Sequence, residues 1–371
     1  MSERFLVEYT IRGTETQASA RAKDICLEQT VELPESLVPK GFIQDFVVGK
    51  MEEFYPIEHN ISYRATISFA IDTASNELTQ LINVAFGNIS LKPGIRLERL
   101  ILPPSLLNSF QGPRFGLEGL RKYLNVSRRP LLCTALKPMG LKANGLAELA
   151  YQFAKGGIDL IKDDHGLSNQ VYAPFTERVK LCVEAIARAN AETGGNSIYI
   201  ANITAPSQML KERALQAKEL GAGGMLLAPG LIGFDSMRAL AEDNAIALPI
   251  LSHPSFQGSY VASENGISHF ALFGQLARLG GADASIFPNF GGRFSFSKEE
   301  CINIRDGCQT DMAHLKKIFP TPGGGMTLER VSQMYELYGK DVIFLMGAGL
   351  LTHSPDIIEN SQYFRSLIED N

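Results

Sequence analysis

The chain lacks the sequence features of several protein classes. Its 371 residues contain no apolar run of about 18, the length that spans a membrane, and no signal peptide, because MSERFLVEYTIRG carries charges and alternates like a strand. Five cysteines without CxxC spacing give no zinc or disulfide framework and fit a reducing compartment. A net charge of −5 excludes the basic face that non-specific nucleic-acid binding needs. We expect a cytoplasmic protein without membrane or nucleic-acid partners.

The composition is that of a soluble globular protein with a large core, at 45% hydrophobic and 20% charged residues. Residues 1–125 mix the β-rich stretches FLVEYTI, SYRATISFAI and LINVAFGNISL with helical character around residues 43–48. This mixture predicts a small α+β domain with an open sheet. The composition turns loop-like near residues 103–112, close to the predicted boundary.

A regular alternation follows over residues 126–371. Eight short apolar strands, among them LLCTALKP, IDLIKDD and SIYIANIT, each precede an amphipathic helix. Such strands indicate parallel pairing, and eight units predict a (β/α)8 barrel with its active site at the C-terminal ends of the strands. A doubly wound open sheet is the rival architecture, but no GxGxxG follows the first strand.

Ionisable residues occupy the predicted strand ends. Lys137 follows the first strand, Lys162, Asp164 and His165 end the second, and His253 follows the fifth. Such a cluster at the end of a buried strand is costly to desolvate unless a metal, a covalent modification or a phosphate pairs it. A solvated strand-to-helix turn is the alternative, but polar or glycine-rich residues at nearly every strand end favour a functional site.

Glycine-rich runs follow the last two strands. PGGGMT contains Gly324 and Gly325, and MGAGLLTH contains Gly347. Barrels often build a phosphate site here from backbone N–H groups, since glycine lets the backbone approach an oxyanion. Two purely structural turns remain the alternative.

The strand-end residues suggest particular chemistry. Asp164 with a further oxygen ligand could hold Mg²⁺, and Lys162 would become an anionic ligand if CO2 carbamylated it. Lys137 could stabilise an enolate or exchange protons with it. His253 is either a second acid or base or a hydrogen-bonded histidine at a strand end.

These residues resemble the RuBisCO large-chain family. LCTALKP, GGIDLIKDDHG and the glycine runs carry the resemblance, which covers essentially the whole chain, and the GGxDxxKDD pattern is highly specific. The resemblance implies a homodimer with shared active sites and an N-terminal α+β domain before the barrel. It implies a carbamylated Lys162 that binds Mg²⁺, or another divalent metal, together with Asp164 and His165. We expect Asp163 to orient the strand end. It places Lys137 beside the enolised carbon.

The same resemblance assigns substrate contacts outside this cluster. Glu28 and Asn88 of one subunit would complete the barrel mouth of the other. Arg293 is the nearest substitute for the mobile-loop lysine that carboxylating enzymes use, and Gly324, Gly325 and Gly347 would bind phosphate.

Departures from the carboxylating enzymes exclude a true carboxylase. Met139 stands at a second catalytic lysine, and His165 replaces a glutamate ligand. An arginine and two histidines are replaced, by Pro254, Gln257 and Ser285. Because the lost groups would grip a distal phosphate, we expect a substrate with a single phosphate.

Among RuBisCO-like proteins, the sulfur-salvage enolase is weakened as an assignment, because Asn88 stands where that enzyme has a lysine base. CLEQTVELP and DASIFPNFGGRFSF look more like two other branches, one acting on the phosphorylated sugar acids of apiose breakdown, such as the monophosphate 3-oxo-isoapionate 4-phosphate, and one acting on 5-methylthioribulose 1-phosphate. We expect metal-dependent C–C bond cleavage of the sugar-acid monophosphate through an enolate, by transcarboxylation, hydrolysis or decarboxylation. The alternatives are a 5-methylthioribulose-1-phosphate isomerase, which transfers protons with or without a metal, and a non-catalytic sugar-phosphate binder.

Overall fold

The computed structural model describes residues 3–369, which form two sheets. The strands are β1 (Arg4–Arg12), β2 (Lys50–Glu58), β3 (Ser62–Ala70), β4 (Ile95–Ile101), β5 (Leu131–Leu136), β6 (Leu160–Asp163), β7 (Ile198–Asn202), β8 (Gly224–Leu227), β9 (Ile250–Ser252), β10 (Gly266–Ile267), β11 (Ala284–Pro288), β12 (Phe319–Gly323) and β13 (Ile343–Leu345). The smaller sheet has the order β10-β4-β1-β3-β2. The larger has the order β12-β11-β9-β8-β7-β6-β5-β13 with parallel pairings, which confirms the predicted barrel and the smaller N-terminal sheet.

Helices surround both sheets. They are α1 (Glu15–Glu28), α2 (Leu78–Phe86), α3 (Pro104–Leu107), α4 (Gly116–Leu124), α5 (Ala143–Lys155), α6 (Phe175–Thr193), α7 (Leu210–Glu219), α8 (Pro229–Ile232), α9 (Phe234–Glu242), α10 (Gly258–Val261), α11 (Ala277–Leu279), α12 (Lys298–Gln309), α13 (Val331–Tyr338), α14 (Ala348–Thr352) and α15 (Ile357–Glu369). Two π-helical segments, Ile43–Val47 and Phe270–Leu276, add to them. Across residues 3–369 no helix has both the length and the apolar character to cross a membrane.

One predicted β-rich stretch of the N-terminal domain was wrong. LINVAFGNISL forms the end of α2 and the 3-10 turn Asn88–Leu91. The buried side chains of α2 include Leu78, Leu81 and Val84, whose spacing of three is the helical one. Composition alone favoured a strand, but burying this face against the sheet requires the helix. The boundary at residue 125 stays a prediction.

Alternation along the barrel strands decides which side chains face inward. Leu160, Ile200, Leu226 and Leu251 belong to one cluster of buried residues that fills the barrel. Their neighbours along each strand point outward to the helices, because successive strand residues face opposite sides. The same alternation places Lys162, two residues after Leu160, on the inward face.

The barrel closes between β12 and β13 by side-chain packing. Phe319 donates its N–H to the carbonyl of Asp283 beside β11, so the N–H groups of alternate residues on β12 would face β13. Those positions are Pro320 and Pro322, which have no N–H. Consequently the described residues include no ladder between β12 and β13, although a Cβ at Gly323 would lie 2.9 Å from the Leu345 side chain.

Candidate active site

The second barrel strand, β6, carries a lysine that points into the barrel. Lys162 is 1% exposed, and its Nζ donates a hydrogen bond to the backbone carbonyl of Asp163 at 2.9 Å. Burial lowers the pKa of this ammonium. The neutral amine, which is the form that reacts with CO2, is therefore available at lower pH than on an exposed lysine.

The carboxylate of Asp164 lies among three nitrogen groups. Lys137 Nζ, just beyond β5, is 3.0 Å from Asp164 Oδ1, and His165 Nδ1 is 3.4 Å from the same oxygen. Partial burial opposes ionisation, but the nearby His165, Lys162 and Lys137 hold the pKa of Asp164 below its ordinary value. Asp164 is therefore an anionic oxygen donor at neutral pH.

A pair of stacked imidazoles joins opposite sides of the barrel mouth. The rings of His165, after β6, and His253, after β9, are 4.6 Å apart at 15°. His253 Nδ1 accepts the Ser255 N–H at 3.2 Å, which places the proton of a neutral ring on Nε2. Burial lowers the pKa of His253, so this ring is neutral at pH 7. His253 therefore lies in the same cluster as His165, and its role as an acid or base stays a prediction.

Glycines face this cluster from β12 and β13. An ideal Cβ on Gly347 would lie 3.7 Å from Lys137 Cε, and one on Gly349 would lie 2.8 Å from the Met326 carbonyl, so the two glycine runs touch. Gly324 and Gly325 have φ of +67° and +112°, which other residues rarely adopt. Within residues 3–369, the N–H groups of Gly324, Gly325 and Gly347 meet no hydrogen-bond acceptor.

The loop after β11 packs on these glycines, but the side chain of its Arg293 is exposed. A Cβ on Gly325 would lie 2.4 Å from Gly292 Cα, so the two loops are in close contact. Arg293 is exposed, with its guanidinium 4.9 Å from the Phe294 ring centroid. In the described chain, Arg293 makes no contact with the Lys162 cluster.

Comparison with known proteins agrees with this architecture. The family model "Ribulose bisphosphate carboxylase large chain, catalytic domain" matches residues 116–292. The ribulose bisphosphate carboxylase-like protein 1 of Rhodopseudomonas palustris is 37% identical over 98% of this chain and 97% of its own length. The chain belongs to the RuBisCO large-chain family.

Two further similarities place it among the RuBisCO-like members. A 5-methylthioribulose-1-phosphate isomerase of Rhodospirillum rubrum is 36% identical over 98% of this chain and 96% of the relative. The crystal structure of a Rubisco-like protein from Rhodopseudomonas palustris superposes with a TM-score of 0.89 at 34% identity, covering 100% of this chain and 99% of the other. The protein is RuBisCO-like and not a true carboxylase.

The substituted positions of this RuBisCO-like protein differ in environment. Met139 is 53% exposed, and its Cε lies 2.3 Å from where a Cβ on Gly166 would be, so Gly166 makes room for it. Gln257 and Ser285 are each 1% exposed. Within the described residues, Gln257 Oε1 and Ser285 Oγ have no hydrogen-bond partner. Met139 is therefore half-exposed at the mouth, while Gln257 and Ser285 lie in the interior.

A divalent metal fits this site only with a modified lysine. Among residues 3–369, no three His, Cys, Asp or Glu side chains are arranged to hold a metal. Asp164 and His165 supply two donors, and the amine of Lys162 points to the same cluster. A carbamate on Lys162 would supply the missing anionic oxygen, so the donor set suits the metal that the family uses.

The N-terminal residues assigned by the resemblance form a separate group. Asn88 Nδ2 donates to Glu28 Oε1 at 3.2 Å. Lys92 pairs with Glu28 at 3.1 Å and with Asp24 at 2.6 Å. In the described chain none of these residues contacts the Lys162 cluster. Sequence reasoning missed Lys92, for which the only signal was its place four residues after Asn88.

A cavity of about 300 Å³ lies outside this site. It opens between the N-terminal sheet and the barrel, and its lining includes Arg96, His269 and Glu300. None of the predicted site residues lines it. The side-chain cluster at the barrel mouth, and not this cavity, therefore defines the candidate active site.

Proposed function

We propose that this RuBisCO-like protein enolises a sugar monophosphate, and that 5-methylthioribulose 1-phosphate is the first substrate to test. The position of Lys137 carries the proposal. Its Nζ lies 3.0 Å from Asp164, and its Cε faces Gly347. Lys137 thus lies between the proposed metal ligand Asp164 and the backbone N–H groups of the glycine runs. An amine in this place is suited to moving a proton next to the carbonyl of a substrate whose phosphate is bound by those N–H groups.

Lys162, as a carbamate, Asp164 and His165 would hold a divalent cation, Mg²⁺ in the first instance. The bound cation would stabilise the negative charge of the substrate oxygen. In forming the carbamate, the neutral amine of Lys162 attacks the carbon of CO2 and loses a proton to solvent. The lowered pKa of Lys162 favours this reaction.

The phosphate would bind to the glycine runs. Gly324, Gly325 and Gly347 offer backbone N–H groups without other acceptors, and the positive φ angles of the first two aim the backbone in a way that side chains would prevent. One such site would be sufficient for the expected monophosphate. Arg293 is exposed on the adjacent loop, with its backbone nitrogen 3.4 Å from where a Cβ on Gly325 would be.

Met139 favours a substrate with an apolar end. It is half-exposed at the mouth, packed over Gly166 next to His165. A methylthio group is apolar and polarisable, as the methionine side chain is, so contact between them would be favourable. The isomerase relative at 36% identity acts, by its name, on a sugar phosphate with this group.

Cleavage of a C–C bond in 3-oxo-isoapionate 4-phosphate is the second candidate. It is supported by the stretches CLEQTVELP and DASIFPNFGGRFSF, which resemble enzymes of that branch as well as those acting on 5-methylthioribulose 1-phosphate. It needs the same enolate, so Lys137, Lys162, Asp164 and His253 would have the same roles. The two candidates differ in whether carbon leaves the substrate.

We also propose a homodimer in which Glu28 and Asn88 of each subunit complete the partner's barrel mouth. The separation of this pair from the Lys162 cluster within one chain supports an assembly of this kind. Lys92, which pairs with Glu28, would hold that carboxylate in place.

The test is incubation of the Mg²⁺- and bicarbonate-treated enzyme with each substrate, followed by ³¹P NMR. We expect a new phosphate signal from 5-methylthioribulose 1-phosphate, lost in Lys137→Met and kept in Lys142→Ala, an exposed lysine just before α5. Release of CO2 or another carboxyl product from the sugar acid alone would replace the isomerase by the C–C cleaving enzyme. No conversion of either substrate would refute the proposed function.

A further inference from the structure

We propose that Arg178 is a positioning residue, which fixes the loop carrying Asp164 and His165 by closing it onto the buried carboxylate of Asp163. The relation to metal binding rests on the proposed function, whereas the fixing of the loop does not. The two adjacent aspartates thus have separate tasks. Asp164 faces the barrel mouth, and Asp163 faces helix α6.

Asp163 has no capacity left for a metal or a substrate. Its Oδ1 accepts from Arg178 Nε at 3.0 Å and from the Tyr199 hydroxyl at 2.5 Å. Its Oδ2 accepts from Arg178 Nη2 at 3.2 Å and from the Asn202 N–H at 2.9 Å. Four donors occupy the four lone-pair positions of the carboxylate. The pair of Asp163 and Arg178 is completely buried, with both side chains 0% exposed.

Arg178 holds the loop at both ends and in its middle. Besides Asp163, where the loop begins, Arg178 Nη2 donates to the Ser168 carbonyl and Nη1 donates to the Ala173 carbonyl, each at 2.8 Å. The planar fork of the guanidinium sets the directions of these bonds, which a lysine ammonium cannot reproduce. The guanidinium of Arg178 therefore connects the beginning, the middle and the end of the loop 163–173.

Asn202 connects Asp163 to the part of the loop that carries His165. Its backbone N–H binds Asp163, while its side-chain Nδ2 donates to the carbonyls of His165 at 3.0 Å and Leu167 at 2.8 Å. The backbone of His165 is thus fixed directly behind its imidazole. A buried ion pair stabilises a fold little, and removing one partner is harmful, so its value here is geometric.

The experiment compares Arg178→Lys with the double variant Asp163→Asn/Arg178→Met, which leaves no unpaired buried charge. Arg278→Met is the matched control, since Arg278 is also 0% exposed and donates to the carbonyls of Lys316 and Leu315, before β12 and at the opposite end of the barrel. Amide hydrogen exchange of residues 164–173 in the full chain is the first measurement. Mn²⁺ affinity of the bicarbonate-treated protein, followed by EPR, is the second.

We expect exchange in this loop to become at least about tenfold faster in both Arg178 variants and to stay unchanged in Arg278→Met. Mn²⁺ affinity should fall by about 10- to 100-fold in the Arg178 variants alone, as expected when the groups supporting metal ligands are removed. Unchanged loop exchange in a folded Arg178 variant would overturn the inference, and faster exchange with Mn²⁺ affinity intact would overturn its relation to metal binding. If the unsubstituted protein binds no Mn²⁺, the proposed metal site is wrong, and hydrogen exchange still decides whether Arg178 fixes the loop.

Discussion

The two sides of the barrel mouth are built in opposite ways. At the end of β6, ionisable side chains contact one another within 3.4 Å, and a buried arginine and aspartate hold the loop behind them. At the ends of β12 and β13 the candidate site consists of the backbone of glycines, whose N–H groups have no acceptor in the described residues. Under the proposed function, the first side fixes the reacting groups and the second binds the phosphate.

The difference predicts how each side responds when one of its groups is displaced or lost. Proton transfer and metal binding fail when a group moves by about an ångström, so they need the rigid side. Phosphate binding spreads over several N–H groups, and losing one of them costs affinity rather than chemistry. Substitutions on the β6 side should therefore lower kcat, and those on the glycine side should raise KM.

The largest effect is expected for Lys162→Ala. Without the amine there is no carbamate, so metal-dependent turnover should fall by about 10³-fold or more, with KM changed little. Activity after treatment with EDTA and removal of CO2 is the parallel measurement. Full activity of metal-free, CO2-free enzyme would rule out the carbamate and leave a metal-independent isomerase.

The pH dependence of the carbamate provides a direct signal. With ¹³C-bicarbonate, the protein should show a carbamate resonance by NMR that Lys162→Ala lacks. Because the pKa of Lys162 is lowered, the neutral amine persists to lower pH than an exposed lysine allows, and the resonance should disappear only as further acidification protonates it. A resonance that persists in Lys162→Ala would assign it to another amine.

The next effect is expected for Gly325→Val on the glycine side. A side chain at φ +112°, with its Cβ 2.4 Å from Gly292 Cα, must displace the loop, so KM should rise by about tenfold or more while folding suffers less. Gly339→Val is the matched control, because it has a φ of +69° and no atoms within 4 Å of its Cβ. Unchanged KM in a folded Gly325→Val enzyme would reject the phosphate site.

The sequence predicted the barrel well because its periodicity requires parallel strands, and eight repeated units suit a closed barrel. Short apolar strands that alternate with amphipathic helices bury both faces only as parallel strands. The N-terminal domain was harder to predict, because the apolar residues at the end of α2 are equally typical of a strand. The pairing of Gly266–Ile267 with β4, about 170 residues earlier, has no local signal at all.

The sequence predicted the members of the candidate site that lie at strand ends. It did not predict contacts between side chains that are far apart in the chain. Lys137 and Asp164 were anticipated as neighbours, and the structure places them 3.0 Å apart. The stacking of His165 on His253 joins loops 88 positions apart, and Arg178 lies on a helix 15 positions after Asp163. The first contact depends on the closed barrel and the second on the path of one long loop, and neither follows from residue spacing.

A smaller effect is expected from mixing subunits. Asn88→Ala and Lys137→Ala should each be inactive, but if sites are shared, half of the randomly mixed dimers would carry one intact site. Activity should then recover to about one quarter of the unsubstituted level. No recovery after exchange of subunits, verified by mass spectrometry, would show that each chain has a self-contained site.

The smallest effect is expected for His165→Glu, which restores the charge of the family's ligand. Mg²⁺ prefers carboxylate oxygen to imidazole nitrogen, so the concentration of Mg²⁺ for half-maximal activity should fall by about three- to tenfold. The stack on His253 is lost in this variant, so kcat should not rise with affinity. His353→Glu is the matched control, because His353 is exposed and also stacks on an aromatic ring, that of Tyr363 at 4.9 Å. Equal tightening in both variants would reflect general surface charge, and weaker Mg²⁺ binding in His165→Glu would remove His165 from the ligand set.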